Sequence, residues 1–131
     1  MLKHYLSKLI ACLVLICLTG MALQAQPNAT VVVNAPANVA GNYDAIQAVF
    51  GPGITAAITA NVVEAVDTAG LTKVCDSIAT DLTGAIALVD RGACAFVTKV
   101  LNAQTKGAIG VIVCNSNQNV PTQAITMGGT E

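Results

Sequence analysis

Tryptophan is absent from this sequence, and its one histidine, His4, falls within the first ten residues. Aromatic residues make up 3% of the 131 positions and charged residues 10%. Each scarcity removes a class of function. Without a histidine past position 4, the body of the chain has no means of assembling a Ser-His-Asp or Cys-His nucleophile system, and no histidine is there to ligate a metal. Beyond the first segment the aromatics are Tyr43, Phe50 and Phe96, too few and too scattered for a stacking platform for bases or sugars. Positive charge is scarce as well. After residue 25, Lys73, Arg91, Lys99 and Lys106 face Asp44, Glu64, Asp67, Asp76, Asp81, Asp90 and Glu131, four against seven and a formal charge of −3. Phosphate binding needs a basic face, so nucleic acid is not an expected partner.

What is there begins with a leader. Lys3 and Lys8 precede an apolar run from Leu9 to Leu18, shorter than the about 20 residues of a membrane span. The small residues Gly20, Ala22 and Ala25 follow it. This is the pattern of a secretory signal peptide over residues 1–25, with cleavage expected after Ala25. A lipidation site at Cys12 is disfavoured, because that cysteine opens the apolar run rather than following it. The expected product is secreted, extracellular or periplasmic, and free of the membrane once cleaved. Residues 26–131 suffice for one domain with one core and not for two.

Export puts Cys75, Cys94 and Cys114 in a compartment where disulfides persist. Three pairings are open, and so is a state with three free thiols. Cys75 with Cys94 is favoured, because Cys114 lies in the apolar run AIGVIVC and is expected to be a buried strand residue acting as a small hydrophobe. Closing such a loop stabilises a small domain by roughly 3 kcal/mol on chain-entropy grounds.

Along the chain, NATVVV predicts a strand over 30–33 that Pro36 interrupts and Gly41 turns. Tyr43, Ile46, Val49 and Phe50 suit one helical face, which GPG at 51–53 would terminate. ITAAITANVVEAV, residues 54–66, is rich in β-branched residues and predicts one or two strands. A polar connection with a turn at Asp81 to Gly84 follows. The clearest unit is 85–114. AIALVD and AIGVIVC read as strands buried on both faces. Between them a helix carries Phe96, Val97, Val100, Leu101 and Gln104 on its apolar face, with Thr98, Lys99, Asn102 and Lys106 on the solvated one. Gly107 stops the helix in a left-handed conformation. Strand, helix, strand over about 30 residues predicts a right-handed βαβ crossover with parallel strands. The sequence stops at ITMGGTE with no further apolar run. Since an apolar strand without a neighbour is an aggregation hazard, the chain is expected to be a fragment lacking a C-terminal strand.

The stretch GAIALVDRGACAFVTKVLNAQTKGAIGVIVCN, followed by MGGT, resembles the protease-associated or PA domain family. The shared pattern is G-x-I-A-L-x-x-R-G-x-C-x-F, then K-x-x-N-A-x-x-x-G-A, an apolar strand with a following Asn, and a glycine pair. It covers residues 75–130 well and 30–74 more loosely. The resemblance implies an α/β fold, a curved or barrel-like mixed β-sheet with a βαβ unit and a few short helices, without catalytic residues or cofactor. It implies a disulfide between Cys75 and Cys94. It also implies a module attached to a larger secreted protein such as a peptidase, where its partners would be polypeptide substrate or the parent's catalytic domain. The alternatives are the N-terminal part of a peptidase whose catalytic residues lie downstream, and an adhesive surface protein.

The candidate ligand loops are Arg91, Gly92 and Ala93 at the end of the first buried strand, and Asn115 and Asn117 after the second. Ligands commonly sit at such strand ends in α/β proteins. Arg91 would donate to a peptide carboxylate or carbonyl, or else to the backbone of its own turn. Gly92 permits tight geometry before Cys94, Phe96 is expected in the core, and Lys99 in solvent. VDTAG at 66–70 resembles the aspartic-protease signature but has no second copy to supply the paired carboxylate. GPG lacks the spacing of a phosphate loop. Asn28-Ala29-Thr30 fits an N-glycosylation acceptor.

Overall fold

A computed structural model describes residues 28–115 and 123–129; the expected leader and Asn117 lie outside them. Strands β1 (Asn28–Val33) and β2 (Gly41–Ile46) form an antiparallel pair, in register from Asn28 opposite Ile46 to Val33 opposite Gly41. The connection contains Pro36 after a cis peptide bond, and Val39 N donates to the Pro36 carbonyl. A strand thus stands where the spacing of Tyr43, Ile46, Val49 and Phe50 predicts a helix. A helix of eight residues is marginal alone, whereas β1 gives the backbone groups of β2 that face it ladder partners along all six residues.

The second sheet has the order β3 (Val62–Glu64), β4 (Ile86–Asp90), β5 (Gly110–Cys114), and both pairings are parallel. Of the strand content predicted for 54–66, β3 alone pairs in a sheet. The alanine-rich stretch before it faces no ladder, and alanine does little for a strand without one. Both sheets are open, so the α/β class holds without the closure of a barrel.

Helix α1 (Phe96–Thr105) makes the crossover from β4 to β5 as the sequence predicts. The cap groups of its last turn are met locally, with Lys106 N donating to Ala103 O and Gly107 N to Gln104 O. Gly107 has φ +86°, the left-handed geometry that ends a helix without a Cβ penalty. Its buried side differs from the predicted one. Val97, Lys99 and Ala103 are buried, Phe96 and Val100 are half-buried, and Leu101 and Gln104 are exposed. The helix is rolled toward its Lys99–Ala103 side, because the segment from Val74 to Leu82 covers that side.

The core is the contact of Ala65, Val74, Ile78, Leu82, Ala87, Val89 and Ala103, with Val63, Ala108, Val111 and Val113 packed against it. Ala87 and Val89 alternate with half-buried Ile86 and Leu88, so β4 seals one face fully and the other in part. β5 is half-buried over Gly110–Val113, and Cys114, predicted to be buried, ends the strand exposed. It is the last residue of its strand, past the core that α1 covers.

Candidate functional site

Because β4 and β5 are parallel and aligned from Ile86 opposite Gly110 to Asp90 opposite Cys114, the residues that follow them emerge side by side. Arg91 N continues the ladder by donating to Cys114 O at 2.9 Å. Arg91 Nη1 donates to Asn115 Oδ1 at 3.1 Å, and Asn115 Nδ2 donates to Gln123 O at 2.9 Å. The guanidinium therefore links the two loops through the side chain of Asn115, a role foreseen neither by the ligand reading nor by the own-turn reading. Asp90 is held from the other side: Thr72 Oγ1 donates to Asp90 Oδ2 at 2.6 Å, and Asp90 N donates to Thr72 O at 2.9 Å.

The loop after Arg91 is tight. Gly92 has φ +109° and Ala93 has φ +65°, and Cys94 N donates back to Gly92 O. Glycine takes such geometry freely, while alanine in the left-handed region costs roughly 1–2 kcal/mol. Cys94 closes a disulfide with Cys75, with an S–S distance of 2.13 Å, Cα atoms 5.7 Å apart and a sequence separation of 19. The bridge joins the loop after β4 to the segment that runs from Thr72 to Asp76.

That second segment is held by two side chains of α1. Lys99 is fully buried, against the expectation of a solvated lysine. Its Nζ donates to the carbonyl of Lys73 and lies 3.8 Å from Cys75 Sγ. Burial pushes its amine below the ordinary lysine value, the charge of Lys73 adds to that, and Asp90 opposes it. Asn102 Nδ2 donates to Val74 O at 2.9 Å and to Asp76 O at 3.1 Å. Val74 itself is fully buried with φ +45°, an outlier for a β-branched residue that persists only where its surroundings hold it. Composition offers no hint of these two roles. The available signal is the pair Lys99 and Asn102, three apart and so on one side of a helix, next to the buried Ala103.

Other singled-out residues have local roles. Asp67, in VDTAG, is buried and accepts from Ala69 N at 3.0 Å and Leu71 N at 2.9 Å through Oδ1, closing its own turn. Asp81 Oδ1 accepts from Thr83 Oγ1 and Thr83 N in the predicted turn, which holds its carboxyl below the usual range. Among the described residues no helix is long and apolar enough to cross a membrane.

Two curated proteins are similar over shorter stretches. A PRADC1-like protein of Drosophila melanogaster is 46% identical over 43 residues, 33% of this chain and 22% of that protein. The minor extracellular protease Vpr of Bacillus subtilis (strain 168) is 42% identical over 62 residues, 44% of this chain and 8% of that protein. In each case the chain spans less than a quarter of its relative. Residues 28–131 match the PA domain family. With that match spanning most of its length, and the crossover and the disulfide in place, the chain belongs to the PA domain family.

Proposed function

We propose that this chain is a non-catalytic interaction or substrate-access module of a secreted protein, carried on a larger hydrolase such as a peptidase. The similarity to an extracellular protease supports the attachment, and the disulfide fits an oxidising compartment. The observation that carries the proposal is the double restraint on the loop after β4. Cys94 is bridged to Cys75, and Arg91 bonds Asn115 across to the loop after β5. A loop preorganised in this way loses little entropy on binding. Arg91, Gly92, Ala93 and Asn115 would present the surface, and the partner would be polypeptide substrate or the parent's catalytic domain.

The test uses the purified chain from residue 26 and carboxymethylated, unfolded casein. We expect no hydrolysis, and amide shift changes on titration concentrated at Arg91–Cys94 and Asn115, weakened severalfold in Arg91→Ala. Hydrolysis by the purified chain, or shift changes confined elsewhere, would overturn the proposal.

A further inference from the structure

The Cys75–Cys94 bridge has a cation beside its Cys75 sulfur. Lys99 Nζ, on a fully buried side chain, stands 3.8 Å from Cys75 Sγ. Two carbonyl oxygens also approach that sulfur, Lys73 O at 3.7 Å and Gly92 O at 3.8 Å. Lys73 O is the oxygen to which Lys99 donates, so its lone pairs already face the ammonium. A full positive charge at that distance outweighs the partial negative charge of the remaining carbonyl. The charged groups around the ammonium are Lys73, which repels it, and Asp90 at the end of β4, which attracts it. Both cysteines are half-buried, so neither end of the bridge is enclosed in the core.

We infer that Lys99 makes the Cys75–Cys94 disulfide a directional, thiol-cleavable clip in which Cys75 is the leaving sulfur. A small-molecule thiolate of the glutathione class attacks Cys94 Sγ, and a bond forms between the two. The Cys75–Cys94 bond breaks, and its electron pair leaves on Cys75 Sγ as a thiolate beside the Lys99 ammonium. A second thiolate then attacks the mixed disulfide and departs with the first as the small-molecule disulfide. Cys94 is left as a thiolate that takes its proton from water. The sulfur that better supports negative charge leaves faster, which sets the direction. Opening the clip removes the covalent tie between the loop bearing Arg91, Gly92 and Ala93 and the segment bearing Val74, while Arg91 N remains in the ladder with Cys114 and Asp90 keeps its bonds to Thr72. This device is independent of what the loops bind.

The experiment treats the oxidised chain with glutathione, quenches with acid, and locates the mixed disulfide by peptide mapping. The expected result is glutathione on Cys94 in roughly tenfold excess over Cys75. Lys99→Arg should keep that excess and Lys99→Met should abolish it. Even sharing in the wild type, glutathione mainly on Cys75, or an unchanged excess in a folded Lys99→Met variant would overturn the inference. If Lys99→Met does not fold, the wild-type map together with Lys99→Arg decides the matter.

Discussion

Asn102 Nδ2 reaches across 28 residues of sequence to donate to Val74 O at 2.9 Å, and so ties the crossover helix to a backbone with φ +45°. The same nitrogen bonds Asp76 O, one residue past Cys75. Replacing Asn102 by alanine removes the donor of the part-buried Val74 carbonyl, gives the Asp76 carbonyl over to water, and loosens a strained segment. We expect Asn102→Ala to lose about 1–3 kcal/mol of stability, read as a lower urea midpoint with the disulfide intact.

The second glycine of the pair near the C-terminus, Gly129, has a steric reason. A Cβ on Gly129 would stand 2.4 Å from Val97 Cγ2 and 3.6 Å from Phe50 Cδ1. Valine has no flexible end to swing away, so Gly129→Ala should destabilise by about 1–3 kcal/mol. In a Val97→Ala background the same change should cost much less. Thermal unfolding of the four proteins of that cycle measures the coupling, and additive effects would deny the contact.

Cys114 is the free thiol among the described cysteines, and partial burial of its sulfur, followed by the charges of Asp90 and Glu64, pushes that thiol up. Intact-mass analysis of the chain from residue 26, alkylated without reduction, should show one modification. At neutral pH it should form more slowly than on a free cysteine peptide, and the gap should close as the pH rises. Labelling at all three cysteines would refute the bridge. Removing the bridge by Cys75→Ser with Cys94→Ser should cost about 3 kcal/mol.

Lys99 gives the pH dependence a definite sign. Burial lowers its proton affinity in the fold below the ordinary value of 10.5, so the unfolded chain holds that proton more tightly. At low pH both states are protonated and the fold bears the full cost of the buried charge. As pH rises through the lowered value the cost is relieved, and the relief is complete above 10.5. The stability of wild type relative to Lys99→Met should therefore increase with pH across that window. Denaturant midpoints of the two proteins measured at several pH values check it, and a flat or falling difference would contradict the buried ammonium.

Much of the site's frame was legible in residues. AIALVD, the helix before Gly107 and AIGVIVC predict β4, α1 and β5 with parallel strands, because continuous apolar runs and a left-handed stop are local signals. Once that crossover exists, Arg91 and Asn115 must emerge together. The opening third was not legible in the same way. Tyr43 to Ile46 have the spacing of a helix and the partner of a strand, and the partner won.

By itself, the sequence determined the βαβ order and the shortage of histidine and positive charge, since each follows from neighbours in the chain or from composition; it favoured the Cys75–Cys94 pair on the premise of a buried Cys114, which the fold does not keep. Only the tertiary structure decided that Lys99 is buried, that Asn102 holds Val74 and Asp76, and that Cys114 faces outward. The physical reason is the roll of α1. Helical periodicity gives the order of residues around an axis, but which arc is covered depends on what packs there, and the covering segment, Val74 to Leu82, comes from elsewhere in the chain.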